Sequence, residues 1–178
     1  MKATGIVRRI DDLGRVVIPK EIRRTMRIRE GDPLEIYTNA GGEVIFKKYS
    51  PIGELGIFAT QYAEALASGT KLSVIICDRD HCIAAAGISK KEVLERRVTP
   101  NLEEIMEQRR NVTFDQNQVY EALEGINRSI CVAVPIITSG DVCGVVVLVS
   151  NENQTSADES DIRLATVAAS FLGKQMEE

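Results

Sequence analysis

The sequence has little of what catalysis and metal binding usually require. Its 178 residues include one histidine, His81. A Cys–His nucleophile would have to use that residue, and zinc sites usually draw four ligands from two paired groups, whereas only Cys77, His81 and Cys82 cluster along the chain. A Gly-rich phosphate loop is also missing, since Gly41 and Gly42 form too short a run inside a turn sequence. The sequence therefore predicts a protein that is not an enzyme and that holds neither a metal nor a cofactor.

Long hydrophobic runs are missing as well. No stretch approaches the roughly 18 consecutive apolar residues of a membrane span, and the opening MKATGIVRRI lacks the apolar centre of a signal peptide. We therefore expect a cytoplasmic protein. In a reducing compartment its four cysteines would behave as small apolar side chains rather than as a disulfide framework. We assign all of them to the core: Cys77, Cys82, Cys131 and Cys143.

What the sequence does have is an uneven distribution of charge. Residues 1–50 hold 11 Lys and Arg against 7 Asp and Glu, a net charge of +4, whereas residues 51–178 hold 11 against 19, a net charge of −8. A clustered basic patch is the usual footprint of a phosphate-binding surface, although a solvated basic face is the plainer interpretation of charge alone. The difference between the two parts indicates two domains with different tasks.

The first 50 residues are patterned as strand, strand, helix, strand, strand. The β-branched runs ATGIVRRI and GRVVI flank the turn sequence DDLG, and Pro19 both ends the second run and suits the first position of a helix. In KEIRRTMRI, Ile22 and Met26 fall on one helical face and leave arginines on the other. The helix should end at REGDP, and LEIYT and EVIFKK around NAGG predict a second hairpin.

This N-terminal module has too few apolar residues to fold well alone. A unit of about 50 residues with open strand edges buries too little surface for a stable core. We therefore expect its strands to interleave with those of a second copy, so that the folded unit is a homodimer. A folded, isolated monomer of residues 1–50 would contradict this hypothesis.

The stretch TGIVRRIDDLGRVVIPKEIRRTMRIREGDPLEIYTNAGGEVIFKKY resembles a known family. Its core, GRVVIPKEIRR, combines a glycine turn, a β-branched strand, a proline at the helix start and paired arginines. It is similar to the swapped-hairpin (looped-hinge helix) DNA-binding domain of the AbrB-type transition-state regulators of Bacillus-like bacteria. The resemblance covers nearly all of residues 1–50 and implies a homodimer that binds double-stranded DNA.

The resemblance also implies which residues contact the DNA. The family's DNA-contacting positions are all arginine in this sequence: Arg8, Arg15, Arg23 and Arg24. A symmetric dimer would present each of them twice, across the two-fold axis of a duplex. Three further basic residues are weaker candidates for DNA binding: Arg9, Lys2 and Lys20. Arg9 and Lys20 fit a solvent-exposed or strand-edge charge about as well. We leave out Arg27 and Arg29, because the dipole at the helix end stabilises a cation without a ligand.

We expect a linker at residues 51–54, within YSPIGEL, and a second domain at 55–178. Apolar residues repeat at helical spacing from Leu55 through Phe58 and Tyr62 to Leu66, in a helix that Gly69 should end. KLSVIICD and HCIAAAG around DRD predict one strand pair, and SICVAVPII and DVCGVVVLVS around TSGD predict another. Asp78 and Asp80 are then turn residues. Residues 89–110, between the pairs, are polar and helical with a break at Thr99 and Pro100.

The chain closes with TSADESDIRLATVAASFLGKQMEE, which predicts a capped helix. Ser156 and Glu159 are spaced as a capping box. Apolar residues recur in two rows: Ile162, Ala165, Ala169, Leu172 and Met176 in the first, and Leu164, Ala168 and Phe171 in the second. One face can cover the sheet. The other face is expected to pair with the helix at residues 55–66. The same two helices of a partner subunit would complete a four-helix bundle.

The order of elements in residues 55–178 resembles a GAF-type sensor domain, an antiparallel sheet with helices packed on both sides. The predicted fold class is therefore α+β in two domains. GAF domains often enclose a small molecule between the sheet and the variable helices, here residues 89–114. A filled core that serves dimerisation alone is an equal alternative, and the ligand, if present, stays unidentified because the residues that mark cyclic-nucleotide binders are missing.

The combination of such a DNA-binding module with a long second domain is similar to a sporulation regulator of the AbrB type. The resemblance implies a transcription regulator, both activator and repressor, of genes expressed late in the forespore. Because both domains have a pairing surface, we expect a homotetramer with two DNA-binding bodies.

Two alternatives to a transcription regulator differ in what the second domain does. Antitoxins of the MazE type share the N-terminal module but use a flexible tail to block a toxin, whereas residues 55–178 are patterned as a folded domain. An enzyme with a DNA-binding head would need an acid/base constellation, which the sequence lacks.

Overall fold

The structure, a computed structural model, describes residues 5–114 and 119–177. It divides into two compact units, Met1–Tyr49 and Ser50–Glu178. No helix within the described ranges combines the length and the apolar character that crossing a bilayer requires.

The first unit contains one short helix and one hairpin. Helix α1 spans Lys20–Thr25, and strands β1 (Leu34–Thr38) and β2 (Val44–Lys48) pair antiparallel. The turn between the strands is closed by Asn39, whose Oδ1 accepts the N–H groups of Gly41 and Glu43 at 3.0 Å each. The predicted second hairpin is confirmed. The predicted helix is present as well, but it ends at Thr25 and not at REGDP, since Arg27 has a positive φ of 51 that a continuing helix does not allow.

The first predicted hairpin is present only as its turn. The N–H of Asp11 donates to the carbonyl of Arg15 and the N–H of Gly14 donates to the carbonyl of Asp11, both at 3.0 Å. Gly14 has φ +76, a conformation that favours glycine. The prediction of two flanking strands is wrong for the single chain, since residues 5–10 and 15–18 have no regular secondary structure. A strand needs a neighbouring edge to pair with, and no described segment of the same chain supplies one.

Hardly any side chain of the first unit is buried. Among residues 5–49, which the structure describes throughout, Pro19 alone is buried. Apolar side chains lie in solvent on both sides of the turn, with exposed fractions of 88% for Val7, 72% for Ile10 and 71% for Val17. Residues of this kind normally form the interior of a protein. The single chain therefore has no core in this unit, as its composition predicts.

The second unit is built on a five-stranded antiparallel sheet. Its strands are β3 (Ser73–Asp78), β4 (Cys82–Ala86), β5 (Val112–Thr113), β6 (Ile130–Thr138) and β7 (Asp141–Val149), in the spatial order β4-β3-β7-β6-β5. Both predicted strand pairs are confirmed. Strand β5 was not predicted, because two residues are too few for a periodic pattern.

Helices cover both faces of this sheet. Helices α2 (Pro51–Glu54), α3 (Gly56–Thr70) and α6 (Glu159–Gln175) lie on one face, and α4 (Lys90–Val93) and α5 (Pro100–Glu107) lie on the other. Successive side chains of a strand point to opposite faces. Val74 and Ile76 of β3 accordingly pack in the α3–α6 layer, whereas Ile75 and Cys77 pack in the α4–α5 layer.

Residues 51–54, which the sequence analysis treats as a linker, form helix α2 in the second unit. The hydroxyl of Ser50 accepts the N–H of Gly53 at 3.1 Å, and Pro51 occupies the first turn. Ile52 is fully buried among the side chains of the α3–α6 layer. A serine followed by a proline suits both a helix start and a connector, so the sequence alone does not separate the two.

Helix α3 turns alanines toward the sheet. Ala59 and Ala63 are fully buried, whereas Phe58 and Tyr62, predicted to share one apolar stripe, lie against Phe171 of α6 with ring centroids 5.8 and 5.2 Å apart. The helix ends at Thr70, one residue beyond the predicted end at Gly69, because the next residue, Lys71, has a positive φ of 59. Small side chains let the helix approach the sheet, and the aromatic ones join the two helices.

The predicted capping box of the last helix is wrong by two residues. Oδ1 of Asp158 accepts the N–H of Asp161, and Oδ2 of Asp161 accepts the N–H of Asp158, each at 2.9 Å. The acidic run offers more than one pair at the required spacing of three residues. Burial selects between them, since Asp161 is 4% exposed and Ser156 and Glu159 are exposed.

Candidate nucleic-acid interface

Six of the seven basic residues predicted to contact DNA lie within residues 8–24 of the first unit. Six of the seven are exposed: Arg8, Arg9, Arg15, Lys20, Arg23 and Arg24. The seventh, Lys2, lies outside the described residues. Arg8 and Arg9 precede the turn, Arg15 ends it, and the other three lie on α1.

All of these exposed cations except Arg15 are uncompensated within the part of the chain that the structure describes. No described carboxylate pairs with the side chain of Arg8, Arg9, Lys20, Arg23 or Arg24. Nucleic-acid phosphates attract such side chains and release counterions when they bind. These five side chains are therefore chemically suited to a polyanion, with no described internal ion pair to break first.

Helix α1 separates its arginines from its packed side. Pro19 precedes the helix and is buried, and Ile22 is half-buried, whereas Arg23 and Arg24 are exposed in the last turn. Met26, predicted to share the apolar face with Ile22, is 54% exposed in the single chain. The helix thus presents two guanidinium groups to solvent and leaves an incompletely covered apolar side behind them.

Arg15 is the basic residue that the structure holds in place. Its Nε donates to Oδ2 of Asp11 at 2.8 Å, and its backbone N–H donates to Oδ1 of the same carboxylate at 2.8 Å. The backbone and then the side-chain hydrogen bond of Arg15 lower the pKa of Asp11 below its ordinary value. The sequence predicts the turn but not this pairing, since an aspartate beside a glycine is typical of turns in general.

The two arginines left out of the prediction have structural contacts. The carbonyl of Arg27 accepts Nζ of Lys48 at 2.9 Å, and the N–H of Arg29 donates to Oδ2 of Asp32 at 2.8 Å. Lys48 and Asp32 also form an ion pair of 3.5 Å. These contacts fasten the end of α1 to strand β2.

The cysteine and histidine cluster of the second unit has structural roles. Oδ1 of Asp78 accepts the N–H groups of Asp80 and His81 at 2.7 Å each, which confirms Asp78 as a turn residue. Cys77 and Cys82 are fully buried, and burial, followed by the neighbouring Cys82 thiol, raises the pKa of Cys77 well above its ordinary value. Within residues 5–114 and 119–177, no three His, Cys, Asp or Glu side chains gather as a metal site would need.

The outer surface of the α3–α6 layer carries exposed apolar side chains. Their exposed fractions are 83% for Ile57, 60% for Val167, 41% for Leu164 and 38% for Phe58. The stacked rings of Phe58 and Phe171 connect the two helices at this surface. Apolar groups clustered on two neighbouring helices are typical of a contact with another protein surface.

Two family models match the chain, one for each unit. Residues 54–177 match the model described as stage V sporulation protein T C-terminal, transcription factor, and residues 7–53 match the model described as antidote-toxin recognition MazE, bacterial antitoxin. Along its whole length the chain is 51% identical, over 180 residues, to stage V sporulation protein T of Bacillus subtilis (strain 168), with 100% of each chain covered.

Each unit also has relatives of its own. Transition state regulatory protein AbrB of Bacillus subtilis (strain 168) is 61% identical over 51 residues, which is 29% of this chain and 52% of AbrB. The GAF domain/HD domain protein from Geobacter sulfurreducens superposes with a TM-score of 0.51 at 16% identity, covering 74% of this chain and 99% of that one. The GAF domain of an Acinetobacter phosphoenolpyruvate-protein phosphotransferase gives 0.51 at 17% identity, covering 73% and 84%. The second unit therefore has the GAF fold, and the predicted α+β class is confirmed.

Proposed function

Because the chain belongs to the stage V sporulation protein T family of transcription factors, we propose that it is a DNA-binding regulator of sporulation genes. It would act as both activator and repressor of genes expressed late in the forespore. The observation that carries this proposal is the 51% identity along the entire chain. The antitoxin alternative is not favoured, because a folded GAF domain occupies residues that would form the flexible tail of an antitoxin. In this role the protein uses its side chains for binding and not for catalysis.

The proposed DNA-binding surface consists of Arg8, Arg15, Arg23 and Arg24, with weaker contributions from Arg9, Lys20 and Lys2. The exposure of the six that the structure describes, and the lack of described ion pairs at five of them, support this assignment. A homodimer of the first unit would bring two copies of each arginine to one duplex. The exposed Val7, Ile10 and Val17 support the dimer, because a second copy of the same segment could cover them.

The second unit is proposed to join two such dimers into a homotetramer. Ile57, Phe58, Leu164 and Val167 supply an apolar surface on two helices, which is the arrangement that a four-helix bundle needs. A small-molecule ligand would lie between the sheet and helices α4 and α5. That layer is lined by buried apolar side chains, among them Val93, Leu102 and Ile105. A ligand would therefore have to displace some of these packed side chains.

The proposal is tested by titrating promoter-length duplex DNA at several salt concentrations. The wild-type protein is compared with a variant carrying Arg23→Ala and Arg24→Ala. For every phosphate that the variant no longer neutralises, the log–log dependence of affinity on salt should flatten by roughly one unit. The variant should therefore bind more weakly and with a shallower slope.

A matched control changes two neighbouring arginines of the second unit. Arg96 and Arg97 are exposed, and their replacement by alanine removes the same two charges. This control should keep the wild-type slope. If the two double variants behaved alike, the loss would reflect net charge, and α1 would be a solvated basic face. Oligomeric mass is compared beforehand, because DNA binding by a dimer depends on assembly.

A further inference from the structure

Asp11 is an acidic side chain in the segment that the proposed function brings to DNA. Coulomb repulsion from phosphates disfavours a carboxylate there. Its neighbour Asp12 carries the same charge, is exposed and makes no side-chain hydrogen bond or ion pair with any described residue. The two residues therefore have the same electrostatic cost and different local structure, which allows their effects to be separated.

The carboxylate of Asp11 is engaged at both oxygens. Oδ1 accepts the backbone N–H of Leu13 at 3.0 Å and that of Arg15 at 2.8 Å, and Oδ2 accepts Nε of Arg15 at 2.8 Å. The backbone of Asp11 adds two more hydrogen bonds, to Arg15 and from Gly14, at 3.0 Å each. The turn and the arginine are thus fixed by one residue.

This geometry leaves the terminal nitrogens of the Arg15 guanidinium available for a contact with DNA. A guanidinium has five N–H donors, and the contact with Asp11 uses the one on Nε. The side chain of Arg15 remains 70% exposed. Its terminal nitrogens can therefore meet a phosphate or a guanine edge while Nε stays paired.

We propose that Asp11 is a positioning residue for DNA binding, which holds the turn and the Arg15 side chain in the orientation that DNA requires. This inference rests on the proposed function. Arginine loses much side-chain freedom when it is immobilised at an interface, and restricting it beforehand lowers that cost. The gain from a prearranged Arg15 exceeds the repulsion between Asp11 and phosphate. The contacts with Arg15 lower the pKa of Asp11, which agrees with a carboxylate that is stabilised in its ionised form by this pair.

The test compares Asp11→Asn with Asp12→Asn in equilibrium DNA binding by the full-length protein. Each variant removes one negative charge. Electrostatics alone predicts equal or tighter binding for both. Positioning predicts that the two variants differ: Asp12→Asn binds DNA as tightly as wild type or more tightly, and Asp11→Asn binds about two- to tenfold more weakly, the usual effect of freeing one long side chain. Asparagine keeps an oxygen for the N–H groups of the turn and loses the anionic partner of Nε.

A double-mutant cycle with Arg15→Ala shows whether the effect passes through Arg15. In the Arg15→Ala background, Asp11→Asn should no longer weaken binding. A loss that persists there would indicate a damaged turn and would overturn the inference, as would tighter binding by Asp11→Asn alone. If Arg15→Ala bound DNA like wild type, the assignment of Arg15 within the proposed function would itself fail. The cycle therefore distinguishes the two failures.

Discussion

At the scale of single residues, Gly144 shows how closely two strands of the second unit approach. A Cβ at this position would lie 2.2 Å from the backbone oxygen of Cys77, which belongs to the neighbouring strand β3. Real Cβ atoms do not approach a backbone oxygen this closely, so one strand would have to move. The need for glycine at this position arises from the pairing of β7 with β3, so the neighbouring residues in the sequence do not predict it.

We predict that Gly144→Ala destabilises the second unit. Overpacking in a well-packed core typically lowers the free energy of unfolding by about 1–3 kcal/mol. The midpoint of urea unfolding measures the change. Gly56→Ala is the matched control, because a Cβ there meets no atom within 4 Å, and its midpoint should equal or exceed that of wild type. Equal midpoints for both variants would mean that β7 can shift at no cost.

Asp161 gives the stability of helix α6 a dependence on pH. Burial is the main cause that raises the pKa of this carboxyl above its ordinary value, and the nearby charge of Asp158 acts in the same direction. A raised pKa means that the folded state binds the proton more tightly than the unfolded state. This contribution to stability is complete below the ordinary pKa of the carboxyl and is lost as the pH rises through the raised value.

The variant Asp161→Asn should therefore gain stability relative to wild type as the pH increases across that window. The amide keeps an oxygen that can accept the N–H of Asp158, so the cap survives without a buried charge. Thermal unfolding at a series of pH values measures the difference. Asp158→Ala serves as the contrast, since it removes the side chain that caps the helix and should cost about 1 kcal/mol. A wild-type protein that became steadily more stable than Asp161→Asn at higher pH would contradict the prediction.

At this scale, sequence reasoning succeeds where a residue's role depends on its neighbours in the chain. The turn around Gly14 and the turn role of Asp78 follow from local rules. The pairing of Asp11 with Arg15 and the register of the last capping box do not, because the same residue types support more than one local geometry. Tertiary burial, as at Asp161, decides between them.

At the scale of secondary-structure elements, the apolar residues of helices α3 and α6 make two kinds of contact. Alanines such as Ala63 and Ala165 face the sheet, and aromatic rings such as Tyr62 and Phe171 connect the helices. Helical spacing in the sequence locates both helices correctly. It does not separate the face toward the sheet from the face toward a neighbour, since both are apolar.

We predict that Val167→Glu halves the oligomeric mass. Val167 is 60% exposed in the single chain, so glutamate is tolerated in the folded unit, whereas burying its charge in a helix bundle would be costly. Light scattering coupled to size exclusion measures the mass. Asn153→Glu adds the same charge to an exposed loop residue and should leave the mass unchanged. An unaltered mass for Val167→Glu would place the pairing surface elsewhere.

Strand prediction from the sequence differs between the two units for a physical reason. Strands β6 and β7 find their partners in the same chain, and their β-branched runs identify them. The runs on either side of Gly14 have the same composition and no described partner strand within the chain. Residue type therefore predicts that a segment can form a β-strand. Whether it does so depends on a neighbouring strand edge with which it can pair.

At the scale of the whole molecule, two DNA-binding bodies in one assembly would make binding bivalent. A second binding event by a tethered body is intramolecular, which can raise the apparent affinity by up to about 10²–10⁴-fold without any new interaction. We predict that Val167→Glu weakens binding to a duplex with two sites and leaves binding to a single site unchanged. Titration of the two duplexes measures the difference. Equal weakening on both would indicate that the substitution damages the DNA-binding body itself.

The exposed apolar segment around the Asp11–Gly14 turn has a consequence for how the protein is produced. The second unit encloses its own core, so it can fold as soon as one chain is complete. The first unit, with Pro19 alone buried among its described residues, would have to wait for an encounter between chains, a step whose rate depends on concentration. If α3 and α6 join the chains first, that encounter takes place at high local concentration. The DNA-binding body would then be the last part to mature, and newly made protein would remain inactive until enough of it had accumulated.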